Sequence, residues 1–395
     1  MIPHLKPVRS LYAHVPFCAH KCLYCAFYSE VPGRGAVDRY VQALLKEMES
    51  MAGRMKLDTI FFGGGTPSLL NVGQWKTLFQ GMEKMGLSDA REFTVECNPA
   101  TIDGEKADVF RRHGVNRISM GIQSFDDQFL QRLGRVHSRA QAIESFKLLR
   151  AAGFDNINLD LMFAIPGQTL AQWRATLLEA IELGSEHLSS YEITYEEDTP
   201  LFRQLQAGQI DVDEDLACAM YDMLVEEAGK AGVHRYEISN FARDDGGNAI
   251  PSKACGHNVN YWRGGAYLGI GPSATSYVDG CRWTDCRDTG RYCDTIEQGR
   301  SPIESKETLS SLRRAGEIAA FGLRMSIGWP FEQFQQITGF DLRTEWSKEI
   351  ESLAARGLGS VDVTGFRLTP EGLRFADSAA EAFIRLPERS EVADS

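Results

Sequence analysis

Three cysteines stand close together in His14-Val-Pro-Phe-Cys18-Ala-His-Lys-Cys22-Leu-Tyr-Cys25, spaced C-x-x-x-C-x-x-C. Three thiolates on one short loop can converge on one metal centre. An iron–sulfur cluster held in this way keeps one iron without a protein ligand, and chemistry can happen at that iron. Structural zinc instead takes four ligands, normally in paired knuckles. A four-thiolate cluster wants a fourth cysteine in or near the run, and none stands there. On spacing alone the run is a three-thiolate cluster, a zinc site or three core cysteines. Tyr12, Phe17, Tyr24 and Phe27 flank the thiols. They can pack as core, shield a cluster from solvent, or do both.

Further polar groups sit where a parallel fold would bring them together. Gly63-Gly-Gly-Thr-Pro follows an apolar run, and glycines there permit close backbone approach. Taken singly, Glu96, Gln123, Arg135 and Asp160 would each be a strand-end cap or an ion-pair member. A separate run, Gly256-His-Asn-Val-Asn-Tyr-Trp-Arg263, has the form H-N-x-x-Y-W. A lone histidine beside a loop is most often a hydrogen-bonded structural residue. Imidazole is also an axial ligand of heme iron, and Tyr261 and Trp262 supply flat rings that suit stacking on a macrocycle.

The elements that must position these residues follow a β–α rhythm from about residue 10 to 240. Leu57–Phe62, Phe93–Glu96, Arg117–Met120, Ile157–Asp160 and Leu188–Ile193 read as strands. Val37, Val41, Leu44, Leu45, Met48 and Met51 form an apolar stripe at helical spacing, and Ala142, Phe146, Leu149 and Ala152 form another. Repeated β–α units predict a parallel sheet with right-handed crossovers, open or curled into a partial barrel. In such folds ligands bind beyond the strand C-termini, where the polar residues above fall. Residues 244–256 read as a loop. Residues 257–295, rich in Tyr, Trp, Gly and Cys, need not form regular helices. From about 305 to 385 the pattern is helical again, with Thr369 as a predicted N-cap.

Hydrophobic residues make up 43% and charged residues 24%, as in a soluble globular chain. The formal charge of −12 excludes a general nucleic-acid binder, which needs a basic face. Nine cysteines, an odd count, and no apolar leader in Met1-Ile-Pro-His-Leu-Lys favour a reduced, cytoplasmic setting. No stretch is long enough to span a membrane, so any membrane contact is peripheral.

Gly63–Ser68, Glu96-Cys-Asn-Pro99, Arg117-Ile-Ser-Met-Gly-Ile-Gln-Ser-Phe125 and Asp160-Leu-Met-Phe-Ala-Ile-Pro-Gly-Gln168, in that order, resemble the radical S-adenosylmethionine (SAM) superfamily. Within it they are similar to the oxygen-independent coproporphyrinogen III oxidase family. The resemblance implies a partial (β/α)6-type barrel with a small α-rich, winged-helix-like C-terminal domain. It implies that Cys18, Cys22 and Cys25 hold a [4Fe–4S] cluster whose fourth iron SAM chelates. By the same resemblance Tyr12 and Tyr24 lie along SAM, and Gly64, Gly65 and Thr66 take its amino group. Glu96, Gln123, Arg135 and Asp160 contact its remaining polar groups, with Arg135 pairing to the carboxylate. Residues 1–243 are then the radical SAM core, 244–300 a heme-binding linker segment, 301–385 the C-terminal domain and 386–395 a disordered tail.

The H-N-x-x-Y-W run resembles the heme-binding motif of HemW-type heme chaperones and implies heme contacts by His257, Asn258, Tyr261 and Trp262. Tyr236-Glu-Ile-Ser-Asn-Phe241 and Tyr267-Leu-Gly-Ile-Gly-Pro272 match that branch too. The porphyrinogen decarboxylases extend the triad to C-x-x-x-C-x-x-C-x-C and carry a longer segment before it. Here the last position is Phe27, and seventeen residues precede Cys18. The expectation is therefore a heme chaperone that hands heme to an acceptor protein, with a cluster-dependent homodimer. The alternative is an enzyme that generates a 5′-deoxyadenosyl radical. The chain departs from the chaperone pattern at Thr275, where a histidine is common. Cys281, Cys286 and Cys293 read as free thiols in a surface-near loop, the sharper alternative being a second metal site or a thioether to heme.

Overall fold

A computed structural model of the chain describes residues 7–385, so the predicted tail at 386–395 lies outside the described residues. Strands β1 (Val8–Val15), β2 (Met55–Gly64), β3 (Glu92–Cys97), β4 (Arg117–Gln123), β5 (Ile157–Phe163) and β6 (His187–Glu192) pair in parallel, each beside the next in sequence. The sheet is completed by β7 (Val233–Arg235) and β8 (Asn240–Arg243), antiparallel beyond β6, and by β9 (Leu268–Ile270), parallel to β1 at the other edge. The edge strands β7 and β9 do not pair, which leaves the barrel partial.

Alternation along each strand decides what faces what, because successive side chains point to opposite sides of a sheet. Leu11, Ala13, Ile60, Phe62, Ile118, Met120, Leu159 and Leu161 are buried against helices. Their neighbours Ser10, Tyr12, Thr59, Thr94, Arg117, Ser119, Asn158 and Ser189 share the inner face, and the pairing register keeps them in step from strand to strand. A one-residue slip would turn the polar set into the core, so burial fixes the register. The outer layer comprises α1 (Ala36–Met51), α2 (Val72–Lys84), α3 (Gly104–Arg112), α4 (Asp127–Leu133), α5 (Arg139–Ala151), α6 (Leu170–Glu182), α7 (Pro200–Gln206) and α8 (Glu214–Lys230). Trp75, Phe79 and Trp173 are buried beneath it. Capping boxes Asn71/Gln74, Ser138/Gln141 and Thr169/Gln172 start α2, α5 and α6. Each cap is worth about 1 kcal/mol and fixes where the loop above the sheet ends.

Residues 244–300, set apart by the sequence reading, share the barrel's core through Leu268, Ile270, Trp283, Tyr292 and Ile296. They also hold two regular helices that the sequence reading did without, α9 (Gly256–Trp262) and α10 (Thr289–Glu297). Strands β10 (Thr275–Val278), β11 (Cys281–Asp285) and β12 (Ile303–Thr308) form a separate antiparallel sheet. Cys281 lies on β11 and Cys293 on α10, and Cys286 and Cys293 are buried. Cys286 lies in the short connection between β11 and α10, and all three thiols are free. The C-terminal unit opens on α11 (Ser311–Leu323) and packs further helices and a small antiparallel sheet around Trp329, Phe334, Trp346 and Phe383. Thr369 caps its helix, accepting from Gly372 N–H.

Candidate functional site

The cysteine loop leaves β1 at the C-terminal end of the sheet. Backbone bonds from Cys18 N to Glu30 O (3.0 Å), Glu30 N to Pro16 O (2.7 Å) and Leu23 N to Leu133 O (3.0 Å) pin it. Cys18, Cys22 and Cys25 are all half-buried and unpaired. Burial pushes the Cys25 thiol up, and the nearby Cys22 and Cys18 push it further, so the three thiols feel one another. Arg135 Nη1 points at Cys22 Sγ from 3.5 Å, and Thr66 Oγ1 lies 3.5 Å from Cys18 Sγ. Among the described residues no three Cys, His, Asp or Glu side chains already close around a single ion. The three thiols share one loop, with the Arg135 guanidinium beside Cys22.

Every position assigned to SAM from the sequence is half-buried at or near this mouth: Tyr12, Tyr24, Gly64, Gly65, Thr66, Glu96, Gln123, Arg135 and Asp160. Glu96 accepts from Gly64 N–H at 3.2 Å. Burial, and then the charge of Asp160, push its carboxyl up to about 8. Asp160 is also raised by burial, although Ser119 (3.2 Å) and Asn158 (2.8 Å) donate to it. Two acids facing one space want a cation there, which fits the ammonium or sulfonium of SAM. Arg135 donates to Gly121 O at 2.5 Å and keeps a buried Nε without a partner, which fits a carboxylate. Gln123 holds φ at 68°, a strained value for a side-chain-bearing residue, at the point where β4 meets the mouth. A Cβ on Gly65 would lie 2.7 Å from Phe17 O, and Gly64 has φ +107°. Both glycines are therefore demanded by the backbone path. The sequence reading missed Tyr191, which is 42% exposed and yet sits within reach of the charges of Asp160, Glu237 and Glu96. It is a wall of the inner space, and the alternation of β6 already pointed there.

The H-N-x-x-Y-W run folds as α9. Glu92 of β3 caps it, accepting from Gly256 N (2.7 Å) and His257 N (2.9 Å). His257 is 1% exposed. Its Nδ1 meets Thr59 Oγ1 at 2.8 Å, its Nε2 meets Tyr261 Oη at 2.8 Å, and its ring stacks on Phe61. Burial and the Arg117 guanidinium push it down to about 3, so it is neutral. Both ring nitrogens of His257 are therefore engaged within the fold. Asn258 is half-buried and does not line the adjoining cavity. Tyr261 and Trp262 do line it.

That cavity, about 470 Å³, is walled by Tyr12 and His14 of β1, Phe27 and Tyr28 of the cysteine loop, Tyr267 and Tyr277, and Ile318 and Phe321 of α11. Phe27 is 71% exposed and Phe321 is 41% exposed, so apolar surface stands open at its edges. The cysteine loop, the barrel and the C-terminal unit meet here.

Residues 12–180 match the family model of the radical SAM superfamily, and residues 309–375 match the HemN C-terminal domain. The heme chaperone HemW of Bacillus subtilis is 33% identical over 95% of this chain and 99% of its own length. The chain belongs to the HemW family of radical SAM proteins. Other HemW-family relatives include the heme chaperone HemW of Escherichia coli, 34% identical over 96% of this chain and 98% of its own. The mouse mitochondrial radical S-adenosyl methionine domain-containing protein 1 is 34% identical over 93% and 86%. The solved coproporphyrinogen III oxidase HemN of E. coli superposes with a TM-score of 0.82, covering 96% of this chain and 90% of that one at 22% identity, which establishes the shared fold. Membership of the radical SAM superfamily implies a [4Fe–4S] cluster and SAM as resident groups. No helix among the described residues is long and apolar enough to cross a membrane.

Proposed function

We propose that this chain is a heme chaperone, carrying heme on a radical SAM scaffold and passing it to an acceptor protein. The observation that carries the reading is the aromatic cavity, wedged between the cysteine loop, α9 and α11 and partly open to solvent. A flat apolar macrocycle is the kind of ligand such ring-lined walls accept. The HemW relatives are named heme chaperones, which supports the same reading.

In this reading Cys18, Cys22 and Cys25 hold the cluster. Glu96 and Asp160 take the positive end of SAM and Arg135 its carboxylate, while Gly64, Gly65, Thr66 and Gln123 shape the seat, with Tyr12 and Tyr24 alongside. Tyr261 and Trp262 face the cargo, and His257 holds Tyr261 in place from behind. Residues 1–243 thus serve cluster and SAM, 244–300 the cargo, and 301–385 the far wall. Nine free cysteines support a reduced, cytoplasmic setting, and homodimerisation and an acceptor protein complete the proposal. The test is an anaerobic hemin titration of the cluster-reconstituted chain beside Phe321→Asp, which alters the exposed wall and spares the core. We expect saturable, near-stoichiometric binding that the variant weakens. Unsaturable binding would sink the reading.

A second reading, a radical enzyme, is favoured by the intact convergence of Glu96, Asp160 and Arg135 beside the thiols. In that reading Cys18, Cys22 and Cys25 would hold the cluster, which with SAM would supply radical hydrogen-abstraction chemistry. If anaerobic incubation with SAM and reductant gives no 5′-deoxyadenosine above a Cys22→Ala control, that reading fails.

A further inference from the structure

The cavity presents several oxygen and nitrogen donors that iron could take, and hydrogen bonding separates them. His14 uses both ring nitrogens, Nδ1 with Tyr12 Oη at 3.1 Å and Nε2 with Tyr28 O at 2.9 Å, so Tyr12 is engaged as well. Tyr28 Oη accepts from Thr289 N at 2.8 Å, and Tyr277 Oη accepts from Arg314 Nε at 3.2 Å. Tyr261 is engaged by His257, and the network fixes the direction. Thr59 Oγ1 donates to Ser10 Oγ at 2.9 Å, so it accepts from His257 Nδ1–H. His257 Nε2 is then the acceptor, and Tyr261 donates to it.

Tyr267 differs from all of these. Its backbone is fixed by two bonds with Tyr277, of 2.9 and 3.0 Å, and its ring packs edge-on to Tyr261 with centroids 4.4 Å apart. Its hydroxyl has no protein partner among the described residues and is not shut away from the cavity it lines. Burial raises this phenol, and Glu317 raises it further, while the Arg282 guanidinium, itself held by Glu317 at 2.7 Å, acts in the opposite direction. A rigid ring, a free oxygen and a neighbouring cation are what a phenolate ligand needs, and tyrosinate is a known axial ligand of heme iron.

Building on the heme-carrying reading, we infer that Tyr267 is the side chain that binds the iron of a ferric heme in this cavity, through its phenolate oxygen, with Arg282 as the compensating charge. On binding, the phenol O–H bond breaks and its proton leaves to water at the open side. The oxygen lone pair forms the Fe–O bond, and the iron stays ferric throughout.

The test is the anaerobic hemin titration of the cluster-reconstituted full chain, read by absorbance and by resonance Raman spectroscopy for iron–phenolate modes. Tyr267→Phe keeps the ring and loses no hydrogen bond. It should weaken binding at least about tenfold, since even partners behind a ligand cost that much, and it should abolish the phenolate modes. Tyr267→His should replace them with a nitrogen-ligated spectrum. Saturable binding without phenolate modes, or with modes that survive Tyr267→Phe, would overturn this assignment and leave the chaperone reading standing. Unsaturable binding by the unaltered chain would overturn both.

Discussion

Replacing Glu96 with glutamine should stabilise the fold while weakening the site. The carboxyl is pushed up from an ordinary 4.5 to about 8 by burial and by Asp160. A raised value means that the folded state holds the proton more tightly than the unfolded chain. The associated stability is fully present below pH 4.5 and is lost as the pH climbs towards 8. At pH 7 the span from the ordinary value is roughly 2.5 units, and at about 1.4 kcal/mol per unit this is a cost of about 3 kcal/mol. Water reaching this half-buried position screens part of it, so about 2 kcal/mol is the working figure. Glutamine is neutral at every pH, and its side-chain oxygen can still accept from Gly64 N–H. Urea unfolding of the cluster-free chain, parent beside variant, should show a gain of about 2 kcal/mol at pH 7 that disappears near pH 4.5. SAM affinity, measured by calorimetry on the reconstituted protein, should fall in the same variant because the cation loses its counter-charge. A variant no more stable than the parent at pH 7, or one with an equal gain at both pH values, would refute the argument.

Asp285 and Glu47 form a second acid pair, buried at 1% and 2% exposure, in which both Asp285 oxygens and Glu47 Oε1 lack a donor. Burial and the Glu47 charge raise Asp285, so Asp285→Asn should raise stability at neutral pH and flatten its decline with rising pH, as read by thermal unfolding. Gly65→Ala places a Cβ against Phe17 and Val15 backbone oxygens at 2.7 and 2.9 Å. It should cost about 1–3 kcal/mol and lower SAM affinity, with circular dichroism little changed. Thr59→Val leaves His257 Nδ1 unpaired in the core and should cost about 1–3 kcal/mol in denaturant unfolding. An unchanged midpoint would show that His257 does not depend on that bond.

The sequence by itself determined the barrel and its mouth. The strands β2 to β6, the helix stripes and the Thr369 cap were legible because each is a local pattern of period and propensity. The strand β1 was missed, although it carries Tyr12 and His14, because its run Val8–Val15 was read only as a flank of the cysteines. The polar residues at strand ends were identifiable as a set because parallel β–α units bring strand C-termini together wherever they occur in the chain. What no local pattern could decide was which way a side chain finally faces. His257 looked available in the H-N-x-x-Y-W run, yet the docking of α9 on β2 engages its Nδ1 with Thr59, while Tyr261 on the same helix engages its Nε2. Tyr267, one aromatic among many in sequence, has no partner for its hydroxyl among the described residues, whereas Tyr28 and Tyr277 are engaged by Thr289 and Arg314 from distant segments. Burial and hydrogen-bond pairing are properties of contacts between distant segments, so only the tertiary structure could assign them.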